Sequence, residues 1–120
     1  MNLIIIGKVL KAKIEVNQKY GRFFNLIIDS DQQTTPYLFR VYEFRANAET
    51  KTQEYDPLFI KLERTNLQMD EAVCVSSYAT INKFGQERYY LNDIKKITET
   101  EIDLFNEIVN FDEVPQTKGA

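Results

Sequence analysis

Apolar residues recur at every second position in several stretches of the chain, a pattern typical of β-strands with one buried face. In the second of these stretches, for example, Phe24, Leu26 and Ile28 share one face. The first stretch is long and rich in branched side chains, and Gly7 marks a place where the strand can bend or carry a bulge. The pattern predicts five strands, at residues 3–16, 22–29, 37–45, 72–82 and 86–97.

Turn residues separate the neighbouring strands. Residues 17–21 are mostly polar and end in Gly21, and residues 82–85 end in Gly85, where a positive φ is often needed. A polar loop ending in Pro36 separates the second and third strands. We therefore expect one hairpin from strands two and three and another from strands four and five.

Helical signals interrupt the β pattern in the middle of the chain. Asp56 is a suitable N-cap residue, and Pro57 is tolerated at the first helical position. Leu58, Phe59 and Leu62 then supply a small apolar stripe. This predicts a helix at roughly residues 55–65.

The C-terminal part of the chain has a second helical signal. Thr98 and Glu101 have the spacing of a capping box, and apolar residues follow at positions 102, 105 and 109. We expect a helix over residues 98–110 and a flexible tail over residues 111–120 that begins with acidic residues.

Five strands with a helix between the third and fourth are the element order of the OB-fold. This fold is a small five-stranded Greek-key barrel whose outer face and loops bind oligonucleotides or oligosaccharides. A chain of 120 residues has the size of one domain. We therefore predict a mainly β protein in which residues 1–97 form an OB-fold domain.

The distribution of charge alters the meaning of the net charge of −3. Residues 1–97 hold 14 of the 15 Lys and Arg and 12 of the 18 Asp and Glu, a net charge of +2. Residues 98–120 hold one Lys and six acidic residues, a net charge of −5. An acidic C-terminal segment thus masks a mildly basic body, and a few convergent cations are enough for a groove to follow a phosphate backbone.

Several kinds of chemistry are difficult to build from this composition. The chain has no His and a single Cys, Cys74, which argues against an intrachain disulfide and against the common His-dependent zinc, haem and acid–base sites. Asp29, Asp31 and Glu43 are an alternative, a magnesium site of a nuclease, although Asp-x-Asp is also common in polar turns. We expect no enzyme activity, cofactor or metal. With no long apolar run or signal-peptide core, we expect a cytoplasmic protein.

Sequence-independent binding of single-stranded nucleic acid needs cations along a groove and flat side chains on which bases stack. The third predicted strand presents Arg40, Tyr42 and Phe44 on the face opposite its apolar residues. A core role is hard to arrange for Phe84, because it lies at a predicted hairpin tip beside Lys83. The candidate DNA-binding residues are Arg40, Tyr42, Phe44, Tyr78, Lys83, Phe84, Arg88, Tyr89, Lys8 and Arg22.

Three segments of the chain are similar to one protein family. Residues 2–9, Asn-Leu-Ile-Ile-Ile-Gly-Lys-Val, match its first strand, and residues 24–29, Phe-Asn-Leu-Ile-Ile-Asp, match its second. The most specific match is Gly-Gln-Glu-Arg-Tyr at residues 85–89, which leads into the last strand. Over residues 2–97 the chain resembles the bacterial-type single-stranded DNA-binding proteins, in particular short members from phages of lactic-acid bacteria.

This resemblance implies a protein that coats transiently exposed single-stranded DNA during DNA replication, recombination or repair. It also implies a homo-oligomer, a dimer or tetramer often formed through the first strand, and contacts with replication or recombination proteins; a phage member would act in the host cytoplasm. The chain departs from the family in having no Trp for stacking and Ser76-Ser77 where glycine is common. Its hairpin over residues 78–85 is also shorter.

An alternative of a different class is a small β-barrel adaptor that binds proteins and no nucleic acid. Its docking surface would be the C-terminal helix and the acidic tail. Residues 111–115, Phe-Asp-Glu-Val-Pro, resemble part of the acidic tip with which the family recruits partners, but residues 116–120 lack its hydrophobic end. Convergence of aromatic and cationic residues on one groove favours DNA, whereas scattered charges and an apolar patch favour protein.

Overall fold

A long first strand organises the fold, which we describe for residues 1–104 of a computed structural model. In this part of the chain the elements, in order, are β1 (Asn2–Asn17), β2 (Gly21–Asp29), β3 (Tyr37–Tyr42), β4 (Phe44–Ala46), β5 (Gln53–Tyr55), α1 (Pro57–Thr65), β6 (Ala72–Ile81) and β7 (Glu87–Lys96). Since β1 is 16 residues long, its N-terminal half pairs with β6 and its C-terminal half pairs with β2.

The main sheet has five antiparallel strands in the order β3-β2-β1-β6-β7. Its two outermost strands, β3 and β7, approach each other across the open side, where the rings of Tyr37 and Tyr89 meet edge to face with centroids 5.0 Å apart. With α1 between the third and fourth strands of this sheet, the mainly β class and the OB-fold predicted from the element order are confirmed.

The core fills the space enclosed by the curved sheet and α1. Phe24, Leu26 and Ile28 are all buried, as the period-two pattern predicted. From α1, Phe59 and Leu62 pack into the same cluster. The predicted N-cap is confirmed, since Asp56 Oδ1 accepts a hydrogen bond from Leu58 N at 2.9 Å.

Gly7 has a different role from the one predicted for it. A Cβ atom at this position would lie 2.2 Å from the carbonyl oxygen of Asp29, so only glycine fits where β1 and β2 approach. The irregularity in β1 comes later, where the pairing register with β2 shifts between Val9 and Lys11.

The third predicted strand does not continue to residue 45. β3 ends at Tyr42, and the backbone turns at Glu43, whose N–H donates to the Arg22 carbonyl oxygen at 3.0 Å. Phe44 therefore belongs to β4, which pairs with β5 in a separate two-stranded sheet that the sequence pattern did not predict. β5 also takes residue 55, so α1 begins at residue 57 rather than 55.

The second predicted hairpin and the capping box are confirmed. Gly85 has a φ of +78°, and Asn82 N donates to Gln86 O at 2.9 Å to close the β6–β7 turn. Thr98 Oγ1 accepts from Glu101 N at 3.1 Å, and residues 99–104 are helical. The remainder of the predicted helix, and the predicted tail over residues 111–120, lie outside the described residues.

Candidate nucleic-acid interface

A groove of about 970 Å³ runs along the side of the barrel where β3 faces β7. The fold forms it because these two strands, far apart in sequence, are the two ends of the sheet. Five of the candidate residues line it together: Arg40, Tyr42, Phe44, Arg88 and Tyr89. These five residues bring two guanidinium groups and three aromatic side chains to the groove.

The β3 side of the groove is built on aromatic packing. Val41 is only 6% exposed, which confirms that Tyr42 and Arg40 lie on the outer face of β3. Tyr42 contacts the Phe23 ring at a centroid distance of 5.3 Å and the Tyr20 ring at 5.8 Å. The Arg40 guanidinium lies over the same Phe23 ring at 5.3 Å, in cation–π geometry.

The β7 side presents Arg88 and Tyr89. Tyr89 is half-buried, with its ring against Tyr37 and its hydroxyl donating to the carboxylate of Glu87. That hydrogen bond, together with desolvation and the charge of Glu87, raises the pKa of Tyr89 to about 12. Tyr89 therefore stays neutral across the physiological range and lines the groove as an uncharged side chain.

Lys83 and Phe84 lie at the tip of the β6–β7 hairpin, beyond the groove lining. Phe84 is 77% exposed, and the Lys83 ammonium lies 5.2 Å from the centroid of its ring. The side chain of Asn82 holds the tip in place by accepting from Phe84 N at 2.9 Å. An aromatic ring this exposed makes little contribution to the core and is accessible to a ligand.

Tyr78 lies next to the groove but does not line it. It pairs directly across β6 and β7 with Tyr90, which is a lining residue. Because directly opposed residues in antiparallel strands share a face, Tyr78 extends the aromatic surface by one strand beyond Tyr90.

The structure places Lys8 and Arg22 elsewhere. Lys8 forms an ion pair of 3.2 Å with Glu99, next to the C-terminal helical residues. Arg22 pairs with Glu43 at 2.8 Å and with Glu63 of α1 at 3.6 Å. Neither residue lines the groove, and both of their charges are engaged by acids.

Three cations of the groove and hairpin tip differ from these two, whereas Arg45 in the groove is bound to Glu54. Within residues 1–104, no carboxylate forms an ion pair, at up to 4.0 Å, with Arg40, Lys83 or Arg88. Their charges are available to a polyanion, and such a ligand can bind them without first breaking an internal salt bridge.

Sequence reasoning missed several residues of this surface. Leu38, Arg45 and Tyr90 line the groove, and Tyr55 packs on Phe44 next to it. Tyr90 was detectable as the neighbour of Tyr89 in a strand where both faces are partly accessible. Tyr55 gave no local signal, because its three-residue strand directly precedes the helix N-cap.

The alternative magnesium site does not form in the part of the chain that the structure describes. There, no group of three or more Asp, Glu, Cys or His residues comes close enough to hold a metal ion. Glu43, which the site would need, instead accepts a hydrogen bond from Arg22.

Between residues 1 and 104, no helix is long and apolar enough to span a membrane.

Comparison with known proteins gives structural similarity but no sequence relationship. No protein-family model matches the chain, and no curated protein matches it. Among solved structures, the chain is similar to Rim1, a mitochondrial single-stranded DNA-binding protein from S. cerevisiae, with a TM-score of 0.51 and 18% sequence identity. The match covers 82% of this chain and 96% of that protein. At this level of identity the similarity establishes that the two chains share a fold.

Proposed function

We propose that this protein binds single-stranded DNA without sequence preference in the groove between β3 and β7. One observation carries the proposal: Arg40 and Arg88, both without an acidic partner in residues 1–104, converge on the same groove as Tyr42, Phe44 and Tyr89. Cations that follow the phosphates and rings that stack on bases are the two requirements of such binding. The function named for the structurally similar yeast protein is of the same kind.

The proposed path of the strand runs from the groove to the β6–β7 hairpin. Tyr78 and Tyr90 continue the aromatic surface across the two strands. Lys83 and Phe84 at the tip offer one more cation and one more ring. Lys8 and Arg22 have no direct role in this proposal, since their charges are paired outside the groove.

The salt dependence of oligonucleotide binding tests the proposal. Fluorescence anisotropy of labelled oligo-dT should give a linear fall of log affinity with log salt, with a slope of about −0.7 per phosphate neutralised. Arg40→Ala and Arg88→Ala should each reduce the magnitude of that slope by about 0.7. Lys95→Ala is the matched control, because Lys95 is exposed on β7 but does not line the groove.

Absence of oligo-dT binding at low salt would overturn the proposal and favour the protein-binding adaptor. Equal slopes for the two arginine variants and the parent protein would show that DNA binds elsewhere. An equal slope change in Lys95→Ala would indicate a diffuse charge effect rather than a groove.

For the cellular role we propose DNA replication, recombination or repair, the processes that expose single strands, in the cytoplasm of a bacterial host.

We also propose self-association as a dimer or tetramer. Ile4 is 54% exposed on the outer face of β1, which supports association through that face. The strand edge is less open, since the Gln32 carboxamide accepts from Ile6 N and donates to Ile4 O. Sedimentation equilibrium with Ile4→Lys would test the interface, and an unchanged oligomer would exclude it.

A further inference from the structure

We propose that the β4–β5 hairpin carries a second base-stacking platform, formed by Tyr55 on Phe44, which extends the DNA-binding groove outward. The inference rests on the proposed function, because it adds a subsite to the same surface. It assigns a role to a hairpin that lies outside the five-stranded sheet and to a tyrosine that does not line the groove.

The geometry of the two rings suits a stacking platform. Phe44 and Tyr55 are directly opposed in the hairpin, and their rings lie 4.6 Å apart with an interplanar angle of 37°. Phe44 is 44% exposed and lines the groove, whereas Tyr55 is 60% exposed and lies beside it. Neither ring belongs to the hydrophobic core cluster, so the pair is not needed to fill the interior.

Hydrogen bonds hold the hairpin at its base and along its length. At its base, Asp56 N donates to Glu43 O at 2.8 Å, and Arg22 binds the Glu43 carboxylate. Along its length, Glu54 accepts from Asn47 Nδ2 at 3.1 Å and from Arg45 Nε at 3.0 Å. These two hydrogen bonds lower the pKa of Glu54, the one from Asn47 contributing most. A preorganised platform loses little conformational freedom when a base stacks on it.

The charge of the hairpin is balanced. Residues 44–55 carry Arg45 and Lys51 against Glu49 and Glu54, and the Arg45 guanidinium is already bound to Glu54. This segment therefore offers aromatic surface without a net charge. Its contribution to DNA affinity should be independent of salt, unlike that of Arg40 and Arg88.

Two substitutions at position 55 separate stacking from packing. Tyr55→Leu keeps an apolar side chain on Phe44 but removes the ring, and it should weaken oligo-dT binding about fivefold or more. The loss should be the same at every salt concentration, leaving the slope of log affinity against log salt unchanged. Tyr55→Phe retains the ring and should bind like the parent protein. Thermal melts of both variants check that the hairpin change has not altered the fold.

A fluorescent reporter gives a direct readout of contact. Because the chain contains no Trp, Tyr55→Trp creates a protein with a single tryptophan. Stacking of a base on that indole should quench its emission when oligo-dT binds. The oligonucleotide length at which quenching begins would then report how far the bound strand reaches. Met69→Trp, at an exposed position between α1 and β6, is the matched reporter away from the groove and from both hairpins.

The outcomes distinguish this inference from the proposed function. Oligo-dT binding with parental affinity in Tyr55→Leu, and no quenching in Tyr55→Trp, would overturn the hairpin platform while leaving the groove intact. No oligo-dT binding by the parent protein would overturn the proposed function itself. A Tyr55→Leu effect that disappears at high salt would assign the loss to electrostatics and also contradict the platform.

Discussion

Tyr42 and Phe84 are both candidate stacking residues, but they differ in what surrounds them. Tyr42 is half-buried between Phe23 and Tyr20, whereas Phe84 extends from a hairpin tip. A candidate stacking residue can therefore also support the fold, as the packing of Tyr42 shows. A substitution at such a position lowers both the DNA affinity and the stability of the fold, and the two effects must be measured separately.

Phe84→Ala should weaken oligo-dT binding by about 1 kcal/mol or more without changing the melting temperature. Tyr42→Ala should weaken binding similarly but also destabilise the protein, because each lost aromatic pair contributes about 0.5–1.5 kcal/mol. Anisotropy titrations and thermal melts of the same preparations check both effects. A melting temperature of Phe84→Ala as low as that of Tyr42→Ala would contradict the exposed position of the tip.

The hydrogen bond between Tyr89 and Glu87 makes stability sensitive to alkaline pH. The pKa of Tyr89 in the folded state is about 12, above the ordinary value near 10. The neutral Tyr89 therefore contributes its full share to the free energy of unfolding below pH 10. The contribution is lost as the pH rises towards 12. Glu87→Gln removes the carboxylate charge and should lower the pKa of Tyr89, so that the loss of stability above pH 10 is smaller and ends at lower pH. NMR titration of ¹³Cζ-labelled tyrosine measures the pKa; an unchanged value in the variant would show that Glu87 is not the cause.

At the scale of elements, the close approach of β1 and β2 at Gly7 predicts that a side chain at this position destabilises the fold. Gly7→Ala should lower the free energy of unfolding by about 1–3 kcal/mol, since the new methyl group overlaps the Asp29 carbonyl. Gly85→Asn is the control, because the space around Gly85 is open and Asn tolerates a positive φ. Urea unfolding measures both variants. Parental stability in Gly7→Ala would mean that the two strands can separate at little cost.

The helices and strands also show which features a local sequence pattern can predict and which it cannot. Asp56 and Pro57 predicted α1 to within two residues at its start, because capping depends on groups a few positions apart. The β4–β5 hairpin was missed because its strands have three residues each, too few for an alternation to be recognised. The end of β3 at Tyr42 depends on Glu43 bonding to Arg22, a contact across 21 residues.

At the scale of the whole molecule, the acidic C-terminal segment contacts the barrel through Glu99, which pairs with Lys8. Ending the chain at Ile97 removes a net charge of −5 and releases Lys8. Oligo-dT affinity should then rise at low salt, and the gain should vanish above about 0.2 M, where the Debye length falls below ~8 Å. Titrations of the truncated and full chains at several salt concentrations measure this difference.

A single substitution separates the effect of charge in that experiment from the effect of lost packing. Ile102 of the segment is half-buried beside Ile6 and Gly7, so truncation also removes packing and should lower the melting temperature. Glu99→Gln releases Lys8 without removing Ile102, and it should give a smaller gain in affinity with little change in melting temperature. Unchanged affinity at low salt in both proteins would rule out electrostatic screening by this segment.

The sequence by itself determined the five strands of the main sheet, their buried faces, the turn glycines and the cap of α1. Each of these depends on residues within a few positions of one another, as the alternation of Val41 and Tyr42 illustrates. The predicted tip position of Phe84 follows from the same kind of local information.

Only the tertiary structure decided which cations remain available and which residues meet. Lys8 and Arg40 look alike in the sequence, but Lys8 pairs with an acid 91 positions away, whereas Arg40 has no acidic partner among residues 1–104. The groove itself exists because sheet curvature brings β3 to β7, and Tyr55 comes to lie beside it through a hairpin with no local signal. Contacts across such long separations depend on the path of the whole chain, which no short pattern encodes.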